Sequence, residues 1–392
     1  MNGNLDDESY ARAALTYLAE PADRWLSGLV RAYGAARSLD AVKSGRWPHG
    51  EAVPGARRAM ERWRVRLDEL PTPDEVIAFR RSGIRLICPG DPEWPGQLAD
   101  LGDEQPYALW LRGNADLRFN CLRSVAVVGS RAATAYGSYV AAEFAASVAA
   151  RGWAVVSGGA YGVDASAHRA ALGADGVTVA VLACGVDVPY PAAHTELLDA
   201  IAAQGVIVSE WPPGRTVSRL RFLVRNRVIA ALATGTLVVE AGTRSGALNT
   251  ARHARDLDRR LMAVPGPVTS DISAGCHRII RDWQGMLVTS AAEVIEYLSP
   301  VGASPVGAST TGASPAGAPQ ASTLSPLALD RDDLDLESAQ VLDAMPRRGG
   351  MATARIAQRA GVAPRSAVGV LGGLASAGFI ERCEEGWRLR RA

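Results

Sequence analysis

The sequence predicts an open, doubly wound α/β sheet through its middle, and three observations carry that expectation. Short apolar runs recur between residues 121 and 298, with helix-length amphipathic segments between them, the alternation of a mostly parallel sheet. The runs are almost continuously apolar, as strands buried on both faces are. Two of them, VAVVGSR (Val125–Arg131) and VVSGGAYGVDASAH (Val155–His168), end abruptly in small residues and pass into a helical pattern. A strand, a Gly/Ser turn and a helix N-terminus together let backbone N–H groups approach an anion. A sugar–phosphate ligand, nucleotide or nucleic-acid backbone, is the class to test first.

Taken in order, residues 1–75 are amphipathic and helical, with helices expected at Tyr10–Ala19 and Arg24–Tyr33, the second closed by Gly34. They suggest a small helical bundle. Residues 85–114 (IRLICPGDPEWPGQLADLGDEQPYALWLRGN from Ile84) have strand-like ends around a Pro-rich middle and are expected to pack on the central domain. Strands are expected at 124–128, 154–157, 177–182, 206–209, 235–240, 260–264 and 286–289. Residues 299–323 carry no charge and run as a degenerate Gly/Ala/Ser/Pro repeat, which cannot build a core and reads as a linker. Beyond it, helices over Glu337–Met345, Thr353–Gly361 and Pro364–Ala377 and a hairpin over Gly378–Leu389 suggest a winged helix. Its third helix, AVGVLGGLASA, is uncharged, which suits protein contact or weak backbone binding better than base readout. The expected division is 1–75, 76–298, a linker over 299–335, and 336–392.

Bulk properties narrow the function classes. A chain of 392 residues, 48% hydrophobic, should hold two or three domains. No apolar run reaches the roughly 18 residues of a membrane span, and the polar, acidic start is unlike a secretory signal, so a soluble cytoplasmic protein is expected. Five scattered cysteines without a CxxC pair give neither a zinc site nor a disulfide framework. No metal and no cofactor are expected. The net charge of +1 announces no global attraction to nucleic acid. Lys43 is the sole lysine; the arginine excess fits a GC-rich codon bias, though the guanidinium fork also suits phosphate.

Four segments carry candidate chemistry. Gly129-Ser130-Arg131 is neither a GxGxxG fingerprint nor a P-loop, and its arginine should project from the carboxyl edge of the sheet, unless the turn is a plain strand–helix connection. Gly158-Gly159-Ala160-Tyr161-Gly162 leaves little side chain in the way of a backbone ligand; Asp164 is expected to cap the next helix, with His168 on the same face. That pair also suits catalysis, but no nucleophile is identifiable beside it. Arg215, Arg219, Arg221, Arg225 and Arg227 lie in a stretch without acids, with Phe222 among them. Arginines would neutralise phosphates and the ring would stack on a base, or else Phe222 anchors a loop and the arginines are solvated. In EAGTRSGALNT, Ser245 and Gly246 offer hydroxyl and N–H groups to phosphate, or cap a helix.

These motifs, in this order, resemble the DprA/Smf family of DNA-processing proteins. The matching segments are VAVVGSR, VVSGGAYGVDASAH, LACGVDVPYPAAHTEL, VSEWPPG, RFLVRNRVIAAL, LVVEAGTRSGALNTA and AVPGPV, with SAGCHRIIRD in weaker form. The match covers roughly residues 85–298. The N-terminal helices look like the family's SAM-like domain and the C-terminal unit like its winged helix. The resemblance implies a Rossmann-like domain that binds single-stranded DNA, forms homodimers and loads RecA recombinase in transformation and recombination, without being an enzyme. It places Gly129, Ser130, Arg131, Gly158, Gly159, Phe222, Arg225, Asn226 and Arg227 along the DNA pocket. The chain departs from the family at His194, usually Asn, and at Leu223-Val224, usually Phe-Pro. The alternative is a nucleotide-processing phosphoribohydrolase of related fold, whose PGGxGTxxE signature is replaced here by EAGTRSGALNTA. A nicotinamide-dependent dehydrogenase lacks its fingerprint.

Overall fold

The computed structural model describes residues 5–48 and 53–299, and within the C-terminal region 341–342, 344–345, 350–360, 367, 370–371, 374–375, 380–383 and 386–389. The chain falls into two compact units divided after Ser299, apart from the short segment Thr134–Tyr136, which groups with the second.

The large unit opens with four helices, α1 (Asp7–Leu18), α2 (Arg24–Tyr33), α3 (Ala35–Ser44) and α4 (Pro54–Arg64). Their starts follow local chemistry: Asp6 accepts from the Ser9 N–H at 2.7 Å, and Asp23 from the Trp25 and Leu26 N–H groups. Gly34, at φ 82°, ends α2 where the expected helix ends. The helices bury Leu15, Leu18, Leu26, Leu29, Leu39 and Trp63 in one cluster. Each such side chain contributes about 1.5–3 kcal/mol of burial. Helix α5 (Pro73–Arg81) follows, held by a reciprocal cap between Thr72 and Glu75.

One nine-stranded sheet organises the rest. Its strands are β1 (Ile84–Ile87), β2 (Leu109–Gly113), β3 (Ser124–Val128), β4 (Ala154–Ser157), β5 (Thr178–Val181), β6 (Val206–Ser209), β7 (Gly235–Val238), β8 (Arg260–Ala263) and β9 (Met286–Leu287). The order is β1-β2-β6-β5-β4-β3-β7-β8-β9, and every pair from β6 to β9 is parallel. The expected α/β, mostly parallel sheet is therefore present, with all seven expected strands in place. The 84–114 segment differs from expectation. Its ends do not merely pack on the sheet but extend it, β2 pairing antiparallel with β6 through Trp110 and Ser209, and β1 with β2.

Between β2 and β9 lie α6 (Leu117–Cys121), α7 (Ala135–Ala149), α8 (Val163–Gly173), α9 (Thr195–Gln204), α10 (Arg219–Leu232), α11 (Ala247–Asp256) and α12 (Ala274–Asp282), with α13 (Ala291–Leu298) after β9. Strand alternation sorts them onto two faces. Val125, Val127, Val155 and Leu237 pack with α7, α8 and α13. Ala126, Val128, Val156 and Val238 pack with α10, α11 and α12. Four cysteines are buried free thiols; burial pushes Cys184 up to about 11, which leaves it unreactive.

In the second unit, a helix over Thr353–Ala360 and an antiparallel hairpin of Ile380–Cys383 with Gly386–Leu389 share a cluster with Val341, Leu371 and Leu374. The linker from residue 300 lies outside the described residues, as does most of the helix expected over Pro364–Ala377 and of that over Glu337–Met345.

Candidate functional site

The sheet has one topological switch. From β3 the chain steps outward through β4, β5 and β6, then returns to lay β7 on the other flank of β3. Turns after β3 and β7 diverge there, and open α/β sheets bind ligands in that crevice, at the carboxyl ends of the strands. Three of the four candidate segments are turns at this edge, and the Arg215–Arg227 stretch runs into α10, which starts from it.

The turn after β3 interlocks with those after β7 and β4. Ser130 N–H donates to the Glu240 carbonyl at 2.7 Å, and Val163 N–H donates to the Ser130 carbonyl at 3.2 Å. Gly162 sits at φ 73°, where a Cβ would run into the carbonyls of Ser130 and Arg131. A Cβ on Gly129 would meet Val163 at 2.5 Å. Glycine is needed at both places for close approach of backbone.

Asp164 does not cap α8. It lies in the helix's first turn and reaches back to accept from the Gly158 N–H at 3.1 Å and the Ala160 N–H at 3.3 Å. The Gly158 N–H is therefore engaged within the protein, and both Gly158 and Gly159 are buried. Burial raises Asp164 above the ordinary carboxylate value, opposed by the Arg225 charge and these N–H bonds.

Two of the expected phosphate arginines face inward. Arg225 is buried and donates to the carbonyls of Gly158, at 2.7 Å, and Val181. Burial pushes it down to about 10, with Asp164 opposing. Arg227 is 1% exposed and grips Glu210 through two bonds of 2.5 and 2.7 Å. Neither guanidinium stands on a ligand surface: the first locks the Gly-Gly turn, the second ties α10 to the end of β6. Arg215 and Arg221 are also engaged, by Glu69 and by Glu20, the latter with bonds of 3.0 and 2.6 Å. Asn226 is buried too and bridges to the Gly246 carbonyl (3.3 Å) and Asn249 (3.2 Å), which fixes the fourth segment. There Ser245 accepts from the Ala247 N–H at 3.3 Å and so trims the start of α11, while Gly246 is exposed.

What remains open at the edge is a smaller set: Gly129 and Ser130 half-buried, Arg131 exposed, Phe222 half-buried, then Ser245 and Gly246. Arg131 lies over the Phe222 ring, 4.6 Å from its centre. Tyr190 packs on Phe222 with ring centres 5.6 Å apart, and Tyr161 stands edge-on to His194 at 4.7 Å. The two tyrosines were not singled out from the sequence, although each is an aromatic set among small residues or prolines after a buried strand, where packing does not require one. Glu240, the one acid of EAGTRSGALNT, is buried under α7, where a Cβ on Gly137 would collide with its side chain.

His168 is packed, not catalytic. Thr178 donates its only hydroxyl proton to the Val155 carbonyl (2.8 Å), so it must accept from His168 Nδ1 (2.7 Å). Nε2 is then a buried acceptor without a partner. Burial, with the neighbouring His194 and Arg225 charges, pushes His168 down to about 3 from its ordinary 6.5. The unfolded chain binds this proton and the folded one does not, so stability is full above pH 6.5 and falls as pH drops toward 3. The slope from this group reaches about 1.4 kcal/mol per pH unit. Urea midpoints between pH 4 and 7 should decline less steeply in His168→Leu than in wild type; equal slopes would rule this origin out.

Comparison with known proteins identifies the family that this fold serves. The family described as DNA recombination-mediator protein A matches residues 85–299. A Mycobacterium tuberculosis protein carrying the DprA name is 43% identical over 400 residues, 99% of this chain and 96% of its own length. The X-ray structure of DNA processing protein A from Streptococcus pneumoniae superposes with a TM-score of 0.60 at 30% identity, over 75% of this chain and 98% of that one. The structure of DNA processing protein A from Helicobacter pylori, described for its single-stranded DNA binding mode, gives a TM-score of 0.50 at 26% identity, over 55% and 95%.

Proposed function

The chain belongs to the DNA recombination-mediator protein A (DprA/Smf) family, and on that premise we propose that it binds single-stranded DNA at the switch-point edge and delivers RecA recombinase to it. One observation supports this above the others. Arg131 stands exposed between two interlocked glycine turns, against an aromatic ring, and among the described residues no carboxylate pairs with it to compete for phosphate. Backbone phosphate, not a reacting bond, is what such a group serves: it can hold a strand, but it cannot activate water. Single-strand binding by the Helicobacter pylori relative supports the ligand class.

The proposed action is that of a mediator and not an enzyme, working in the cytoplasm during recombination or DNA uptake. A homodimer is part of the proposal: β9 ends the sheet with an open strand whose Met286 and Leu287 are exposed, an edge suited to a second copy. Residues 1–75 and 336–392 are proposed as the family's SAM-like and winged-helix domains. The test follows RecA filament growth on DNA pre-coated with single-strand-binding protein. Addition of the protein should shorten the nucleation lag. An unchanged lag, or turnover of nucleoside monophosphate to free base, would overturn the mediator reading.

A further inference from the structure

From the held but exposed aromatic rings in the turns at this edge we infer that Tyr161 and Tyr190 provide base-stacking surfaces, so that a single strand is gripped by its bases as well as its backbone. This rests on the single-strand reading above. Phe222 is the ring that sequence suggests for stacking, but it is half-buried and partly covered: Arg131 lies over it at 4.6 Å and Tyr190 packs on it at 5.6 Å with the planes tilted by 47°. More exposed aromatic surface is offered by Tyr190, which packs on it, at 40%, and by Tyr161 in the turn after β4, at 48%.

Both tyrosines are held and not merely solvated. Tyr161 meets His194 edge-on, with the planes at 66°, and His194 is buried with its Nδ1 3.1 Å from the Gly159 carbonyl. Tyr190 rests on Phe222, whose helix is anchored by the buried Arg225 and Arg227. An aromatic fixed in place but left facing water on one side loses little freedom when a flat π-system covers it. Unpaired bases present such a face whatever their identity. The neighbouring Arg131 supplies charge complementary to the phosphate of the same nucleotide. The turns after β4 and β5, which carry the two tyrosines, thus serve the bases, while the turn after β3 serves the backbone.

The experiment compares the full chain's affinity for oligo(dT) and for an abasic phosphodiester oligomer of equal length and charge. Stacking is worth roughly 5- to 150-fold for each base engaged. Wild type should prefer oligo(dT) by at least about ten-fold. Tyr161→Leu/Tyr190→Leu should lose most of that preference with its salt dependence intact, and Tyr161→Phe/Tyr190→Phe should retain it, since the ring and not the hydroxyl acts. Photo-crosslinking of a 5-iodouracil oligomer to wild type, which needs no variant to fold, should give adducts at Tyr161 or Tyr190. Equal affinity for the two oligomers, preference kept by the leucine pair, or adducts confined to other positions would overturn the stacking surfaces alone. Failure to bind either oligomer would overturn the single-strand reading and the stacking surfaces with it.

Discussion

Arg227→Ala is expected to destabilise the large unit by about 3–5 kcal/mol, because it strands the Glu210 carboxylate in the interior. Glu210 is 4% exposed and takes both of its short bonds from this one guanidinium. Burial opposes the charge on Arg227, but Glu210 outweighs it and holds the group firmly protonated. The loss is one of desolvation more than of attraction, so removing both charges should be milder. Arg227→Met/Glu210→Leu is expected to recover a large part of the lost stability, since apolar replacements of buried pairs are often neutral or better. Urea unfolding followed by tryptophan fluorescence measures both. A loss below about 1 kcal/mol in the single variant would mean that the pair is solvated and that Arg227 is free for another role.

Arg225→Ala should remove stability and ligand binding together. The guanidinium bonds to the carbonyls of Gly158 and Val181, and its charge faces Asp164, which holds the Gly158 and Ala160 N–H groups. Deleting it leaves two buried carbonyls without this donor and a buried carboxylate without its opposing charge, a cost again of about 3–5 kcal/mol. A Cβ built on Gly158 would lie 2.5 Å from the same guanidinium, so the turn and the arginine are fitted to each other. The Gly-Gly turn should loosen and carry Tyr161 out of position. Arg131→Ala offers the contrast: an exposed group whose loss should weaken binding and leave the melting curve in place. A stable Arg225→Ala chain with full affinity would show that the turn holds its shape without the arginine.

The strands were legible because each carries its own signal. Val125–Val128, Ala154–Ser157 and Val206–Ser209 are short apolar runs stopped by Gly, Ser or an acid, and a strand buried on both faces has no other appearance. Strands β1 and β2 were half-legible. Their residues look extended, but joining the sheet depends on β6, nearly a hundred residues later, and pairing over that distance leaves no local mark.

At the site, position was easier to read than orientation. Arg131 follows a buried strand and a small turn, and it projects from the edge as expected. Arg225 and Arg227 look equally available in the sequence, since arginine is ordinarily solvated. Their burial depends on Glu210 and Asp164, acids brought to them only by the fold. For the same reason Asp164 reads as a helix cap when its true partners lie upstream in the Gly-Gly turn. Tyr161 and Tyr190 carried the weakest signal, for an exposed tyrosine in a turn is common; only their packing, Tyr161 on His194 and Tyr190 on Phe222, gives them meaning.

The most direct measurement is the affinity of the full chain and of Arg131→Ala for oligo(dT) across a salt series, without nucleotide. Wild type should bind, with log Kd rising against log salt by about 0.7 for each phosphate neutralised. Arg131→Ala should bind more weakly, with that slope reduced by about 0.7 and an unchanged melting temperature. Binding that ignores salt, an absolute need for ATP, or a slope identical in the two chains would contradict a single strand held at this edge.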